Sequence, residues 1–283
     1  MMKKKFLIIG GDLRQLACAR CLQKKGYDVV LYGFYDLYLS GLFGGRNLTE
    51  DLIRSDYVLL PLPVTQDGKN IHTPLWDQTI SLEKISDVLR EETAVFGGMI
   101  RDERLLQRKR VFDYAKHEEF LIKNAQITAE GAFNIVFSET PFSVFGSKIL
   151  ITGYGRIGKI LAKLSMALGA ETYVAARSIG DLSWIELSGA TPVRYDKLGD
   201  LLPHMQIIFN TVPSPIFQKS RIEKIHPDCL FVDLASVPGG IDWESAKEFG
   251  LKTIWALALP GKIAPYSSGK IIADTVINLL NKE

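Results

Sequence analysis

Apolar residues along this chain fall in short runs that end at glycine, proline or polar turns, and several runs are followed by helical spacing. "KFLII" (5–9) has the length and continuity of a buried strand. "GGDLRQLACARCLQKKG" (10–26) reads as a turn and then a helix, with Gly26 as its stop. "YDVVLYG" (27–33) is the next strand, and this strand–turn–helix–strand order implies a parallel sheet. "SDYVLLPLP" (55–63) and "TAVFGGMI" (93–100) are further strands, closed by a proline pair and a glycine pair. Between them "VTQDGKNIHTP" (64–74) is a polar loop, and 111–140 holds helical segments that lead to Pro141.

From Ser147 onward the alternation is regular. Strands are expected near 148–153, 171–177, 191–195, 206–212, 229–235 and 252–259, with helices near 156–168, 181–188, 196–202, 217–225 and 242–249. A last helix, about 266–281, is apolar on one face through Ile271, Ile272, Val276, Leu279 and Leu280. The fold class is therefore α/β, with two doubly wound parallel-sheet domains, the C-terminal one a Rossmann domain that binds NAD(P). The expected division is a flavodoxin-like substrate domain over 1–140 and the Rossmann domain over 141–260. The C-terminal helix, 261–283, then packs between the domains or back onto the first.

One stretch carries chemistry outright. In "KILITGYGRIGKILA" (148–162) a buried strand runs into Gly153-x-Gly155-x-x-Gly158 and then a helix. Gly153 permits the tight turn, Gly155 lets backbone approach a pyrophosphate, and Gly158 lets helix and strand pack closely. Tyr154, Arg156 and Ile157 complete the cradle, and the helix N-terminus supplies N–H groups and a positive dipole end. Gly10-Gly11-Asp12 lacks this spacing. NAD sites place an acid at the tip of the second strand, on the ribose hydroxyl. Here that place reads Arg177-Ser178, and a guanidinium attracts a 2′-phosphate, so NADP is favoured and NAD remains possible. Thr211, Val212 and Pro213 follow the fourth strand of this domain, and Asp233, Ala235 and Ser236 end the fifth. Both groups fall in the crevice where open α/β sheets bind ligands, near the nicotinamide end.

Composition narrows the class. With 47% apolar and 23% charged residues the chain is that of a soluble globular protein. A net charge of +2 and scattered basic residues argue against nucleic acid. No apolar run reaches the ~18 residues that span a bilayer, and the basic start lacks the cleavage pattern of a signal peptide. Three cysteines fit a reducing cytoplasm, and Cys18-x-x-Cys21 lies inside a helix, where packing explains it better than redox or metal chemistry. No metal site is expected.

The segment "VDLASVPGG" (232–240) followed by "LPGKIAPYSS" (259–268) is similar to the pattern around the nicotinamide pocket of alanine dehydrogenases and transhydrogenases. Together with "GGDLRQ" (10–15), "GGMIRDE" (97–103) and "AEGAFNIVFSETPFSVFGSKILITGYGRIG" (129–158), the chain resembles, over essentially its full length, the dipicolinate synthase A-subunit family. That resemblance implies oxidation of a dihydrodipicolinate ring, or its 4-hydroxy-tetrahydro precursor, to pyridine-2,6-dicarboxylate, with hydride passing to NAD(P)+. It also implies the flavoprotein-like B-subunit of dipicolinate synthase as partner, the mother-cell cytoplasm of a sporulating bacterium, and self-assembly as well. A small cyclic dicarboxylate calls for cationic forks and N–H donors. Arg14, Gln15, Thr65 and Arg101 in the front domain, with Lys262, Ser267 and Ser268 behind, are the expected substrate contacts across a cleft. The serine pair would also cap the last helix. No catalytic base is assigned; His72 is the best-placed histidine but stays outside the site. Three other readings compete. A 2-hydroxy-acid dehydrogenase would need an Arg and a His–Pro acid where Ser236-Val237 and Leu259-Pro260-Gly261 stand, so that chemistry lacks its carriers. An alanine dehydrogenase relative would keep the pocket but leaves the short front domain unexplained. A non-catalytic NADP-binding regulatory protein would keep the cradle and need no base.

Overall fold

The structure, a computed structural model, describes residues 3–282. It holds two parallel six-stranded sheets flanked by helices, so the doubly wound α/β architecture expected from the strand–helix alternation is present twice. The first sheet comprises β1 (Lys5–Ile9), β2 (Asp28–Tyr32), β3 (Phe43–Gly44), β4 (Tyr57–Leu59), β5 (Ala94–Gly97) and β6 (Val111–Asp113). The second comprises β7 (Lys148–Thr152), β8 (Glu171–Ala176), β9 (Thr191–Arg194), β10 (Ile207–Asn210), β11 (Leu230–Asp233) and β12 (Lys252–Trp255). The chain divides into two compact units, Met1–Asn124 with Pro260–Glu283, and Ala125–Leu259.

The strand order of the first sheet is β3-β2-β1-β4-β5-β6, and that of the second is β12-β11-β10-β7-β8-β9. Counted from each sheet's first strand, both are 3-2-1-4-5-6, the dinucleotide-fold order. This corrects the flavodoxin-like order expected for the front domain. The edge strand β3 makes the difference, since without it the order reads 2-1-3-4-5. β3 has two residues, both exposed, and β6 has three, so neither shows the alternation that marks a strand. Val111–Asp113 lies within the stretch that reads as helical in the sequence. It pairs with β5 instead, and Phe112 stacks on Phe96 at 5.1 Å.

The central strands are apolar throughout because both faces are covered. In β1, Phe6 and Ile8 enter one core with Leu16 and Leu22, while Leu7 and Ile9 enter another with Leu52, Val58 and Ile85. In β7, Ile149 and Ile151 face Leu161 and Phe133, while Leu150 faces Ile208 and Phe231. The helix Glu118–Glu139 places Phe120 in the first unit's core and Ala129, Ala132, Phe133 and Val136 in the second's. The division at 124/125 therefore falls inside an unbroken helix, whereas Pro141, the sequence-based boundary, follows its end.

The last helix, Pro265–Leu280, packs on the helix Leu13–Lys24, its Ile272, Ala273, Val276 and Leu279 joining the core of Leu16, Cys18, Ala19 and Leu22. Burial raises the Cys18 thiol well above its ordinary value and also raises that of Cys21, which suits packing rather than redox work. Gly269 sets the closest approach. A Cβ there would overlap the Arg14 carbonyl oxygen and lie 2.6 Å from the Ala17 Cβ and 2.8 Å from the Cys18 nitrogen. Gly269→Ala is expected to cost about 1–3 kcal/mol by overpacking, despite the ~1 kcal/mol that alanine gains in helix propensity. A lower urea midpoint at unchanged slope would show it; a raised midpoint would mean the helices have room to separate.

Candidate functional site

The cradle forms where β7 ends. Gly153 has φ +96°, a conformation in which a side chain would be strained, and a Cβ there would overlap the Thr211 hydroxyl. Gly158 faces the other way, and its Cβ would overlap the Gly153 carbonyl oxygen, so helix and turn touch through backbone. Gly155 differs from both: a Cβ on it would meet nothing within 4 Å. Gly155 is also the N-cap of the helix Arg156–Ala167, and no side chain caps that end. An open glycine at an uncapped helix N-terminus fits a pyrophosphate. Around it, Tyr154 is half-buried with the Lys159 ammonium 5.3 Å above its ring, Arg156 is exposed, and Ile157 packs against the core.

At the tip of β8, Arg177 and Ser178 are both exposed, and Arg177 has no hydrogen-bond or ion-pair partner among the described residues. Ser178 caps the helix Ile179–Leu187, accepting from the Asp181 N–H at 3.0 Å. That helix begins two residues earlier than its spacing suggests because this cap starts it.

On the other side of β7 three strands end in polar residues that face one another. The register pairs Asn210 of β10 with Thr152 of β7 and with Asp233 of β11, and all three are fully buried. Thr152 Oγ1 donates to Asn210 Oδ1 at 2.6 Å, and Asn210 Nδ2 donates to Asp233 Oδ1 at 2.8 Å. The row then reaches the loops. Asn210 binds both the nitrogen and the oxygen of Val212, and Thr211 donates through Oγ1 to the Thr152 carbonyl. Asp233 accepts from the N–H groups of Ala235 (3.0 Å) and Gly240 (2.8 Å). Asp233 and Ala235 are thus both buried, with the Asp233 carboxylate engaged by backbone. The loops leave Thr211 and Val212 half-buried and expose residues 213–215 and 236–238. Thr152 and Asn210 are absent from the sequence-based site. The visible signal is a polar residue closing an apolar strand; the facing partner needs the strand order.

The first unit's corresponding turn is closed. Gly10 has φ +64° with segment 71–73 against it, and Gly11 donates to the His72 carbonyl at 2.8 Å. Asp12 caps the helix and Gln15 returns the bond, Oε1 accepting from the Asp12 N–H at 3.1 Å. Gln15 is thus a buried capping-box residue, not an open substrate donor, and its amide nitrogen has no partner among the described residues. The Arg14 fork is held by both Asp12 oxygens at 2.9 Å and by the Leu62 carbonyl at 2.6 Å. The Thr65 hydroxyl is taken up within its own loop by Asp67 and Gly68. Local bonds therefore engage three of the four front-domain candidates. Arg101 is the fourth. It is exposed, without a partner among the described residues, and follows Met99 (φ +58°) in a loop whose nitrogens at Met99 and Ile100 are held by Asp113.

Behind, Lys262 and Ser267 are exposed. Ser268 is buried and donates to the Pro260 carbonyl at 2.9 Å. The serines do not cap the last helix. Its N-cap is Ala264, with Pro265 as first helical residue, so they lie inside the first turn. Burial holds the His72 imidazole below its ordinary value, a shift that Asp12 opposes and Arg14 reinforces. Among the described residues no cluster with metal-ligating chemistry occurs, and no helix is long and apolar enough to cross a membrane.

Residues 5–110 match the family of the dipicolinate synthase A-subunit N-terminal domain, and residues 121–237 the NAD-binding domain family of D-isomer specific 2-hydroxyacid dehydrogenases. The dipicolinate synthase A-subunit of Bacillus subtilis (strain 168) is 30% identical over 284 residues, 98% of this chain and 95% of that protein. The crystal structure of the dipicolinate synthase A-subunit from Bacillus halodurans has a TM-score of 0.90 at 29% identity, covering 99% of each chain. A transhydrogenase from Sinorhizobium meliloti shares the fold, with a TM-score of 0.69 at 15% identity over 98% of this chain and 93% of its own.

Proposed function

The chain belongs to the dipicolinate synthase A-subunit family, and from that premise we propose that it is an NADP-dependent oxidoreductase making pyridine-2,6-dicarboxylate. The observation that carries the coenzyme half is Gly155, open in front and uncapped behind, in a domain matching an NAD-binding family. The first-turn N–H groups of the helix Arg156–Ala167 would hold the pyrophosphate, and Arg177 with the Ser178 hydroxyl hydrogen the 2′-phosphate. Bound there, the nicotinamide would accept a hydride. The chain's own work is to align a ring hydrogen and let a proton leave; the hydroxylated precursor also loses water. Aromatisation supplies the driving force, so positioning outweighs acid–base power. This reading puts the protein in the mother-cell cytoplasm, beside a flavoprotein-like partner.

For the dicarboxylate, Arg101 is the favoured contact, because its loop is held by Asp113 while its guanidinium is unengaged. Lys262 and Ser267 are further candidates. Arg101→Ala is expected to raise the substrate KM about tenfold or more, the worth of a charge-assisted pair, at unchanged coenzyme affinity. A shift in coenzyme affinity instead would remove Arg101 from the substrate. The overall test mixes the purified chain with NADP+ and freshly made product of dihydrodipicolinate synthase. Appearance of the pyridine dicarboxylate absorbance supports the enzyme. Binding without turnover, with the flavoprotein-like partner present, would favour a non-catalytic coenzyme-binding role.

A further inference from the structure

The row Thr152–Asn210–Asp233 sits deepest in the second unit's polar machinery, and Asp233 is its costliest member. The Asp233 side chain is fully buried and has no cationic partner among the described residues. Burying a carboxyl group costs free energy unless its hydrogen bonds are complete, and well-packed apolar residues commonly give equal or better stability. An apolar row would hold the three strands together. It would not fix the loops that follow them. The present row does so at four backbone groups: both polar atoms of Val212, held by Asn210, and the nitrogens of Ala235 and Gly240, held by Asp233. The glycines agree. A Cβ on Gly240 would overlap Asn210 Nδ2, and one on Gly239 would lie 3.0 Å from Asp233 Oδ2. The loop after β11 is thus drawn down onto the row as closely as backbone allows. On the β7 side, the Val212 Cγ2 would lie 2.9 Å from a Cβ on Gly153, so the row also reaches the first turn of the cradle.

The order of strands gives this a direction. With pyrophosphate at Gly155 and the adenosine end toward Arg177 beyond β8, the nicotinamide half extends over β10 and β11, on the far side of the switch point. We propose that Thr152, Asn210 and Asp233 form a buried positioning row that aims the nicotinamide half of the coenzyme by fixing the 211–213 and 235–240 loops, without touching it. The inference rests on the cradle being the coenzyme site. Asp233 is then a positioning residue, and neither a base nor a ligand contact.

Asp233→Asn tests it, since an amide group must turn its NH2 toward one of three N–H donors. Wild type and variant are titrated with NADP+, NAD+ and the matching adenosine fragment, 2′,5′-ADP or ADP. Affinity for the whole coenzyme is expected to fall about tenfold, as for a lost bond to a charged group, and that for the fragment less than about twofold. Thr152→Val, which keeps the shape and removes the outer bond, is expected to act in the same sense by about threefold, a neutral bond's worth. Equal losses for coenzyme and fragment, or no loss for either, overturn the row's role. If Asp233→Asn does not fold, the ratio measured for Thr152→Val decides. A wild-type chain that binds no coenzyme removes the cradle reading itself; one that binds with unchanged ratios in the variants removes only the positioning row.

Discussion

Gly155→Ala is expected to weaken coenzyme binding about tenfold or more while leaving the protein as stable as wild type, and Gly158→Ala to damage both. The two residues belong to one motif but face opposite constraints. Gly155 has φ −79°, which alanine adopts freely, and its Cβ would enter open space. That space is where a pyrophosphate must approach backbone N–H groups, so one methyl group costs about tenfold or more in affinity, the scale of a weakened charge-assisted bond, and nothing in folding. At Gly158 the methyl would overlap the Gly153 carbonyl oxygen and lie 2.9 Å from its carbonyl carbon. Both are backbone atoms and neither can rotate away. The helix must retreat from β7, at about 1–3 kcal/mol of stability for the overpacking, and the N–H groups retreat with it. Thermal unfolding and coenzyme titration of the pair separate the cases. If Gly155→Ala binds coenzyme as tightly as wild type, nothing approaches that glycine and the cradle is only a turn.

The same contrast explains why the chain has two dinucleotide-order sheets and one coenzyme-binding motif. In the second unit the helix after the first strand starts without a cap, leaving its N-terminus for an anion. In the first unit Asp12 is a carboxylate on the corresponding helix end, with Gln15 completing the capping box and Arg14 neutralising it. Segment 71–73 lies over the turn at Gly10. The place a phosphate would occupy is already filled by the protein's own anion and lid, so the shared strand order carries no shared ligand.

This pair of turns also shows what was legible in the sequence. The glycine motif was readable because each glycine answers a local backbone constraint, and local constraints survive in spacing. The six strands of the second sheet were readable because each lies between clear turns, although only β7, β8, β10 and β11 are largely buried. The edge strands β3 and β6 were not, being too short to alternate. The row Thr152–Asn210–Asp233 joins residues 58 and 23 positions apart, and only the strand order brings them into register. Three of the substrate candidates carry bonds that spacing does not reveal. Arg14, Gln15 and Thr65 have suitable chemistry, and each is engaged by side-chain capping within three residues, Arg14 by the Leu62 carbonyl too. Ser267 and Ser268 resembled a cap, yet Pro265 starts the helix ahead of them.

Arg177→Asp should reverse the coenzyme preference. After β8 the chain runs Arg177-Ser178-Ile179-Gly180, so the first carboxylate is Asp181, inside the helix, with its N–H turned to Ser178. An NAD-preferring site would place an acid at the strand tip to accept from the ribose hydroxyl. The exposed guanidinium at 177 has no partner among the described residues and suits a phosphate bearing close to two charges. Substituting Asp removes that attraction, adds repulsion and creates the ribose acceptor. The three effects act in one direction, so the ratio of NADP to NAD affinity is expected to fall about a hundredfold or more, with NAD binding kept or improved. Because Arg177 is exposed, folding should be unaffected and increasing salt should shrink the difference. Equal loss of both coenzymes would show that Arg177 supports the adenosine end generally, while no change in either would mean that phosphate selection lies elsewhere on the domain.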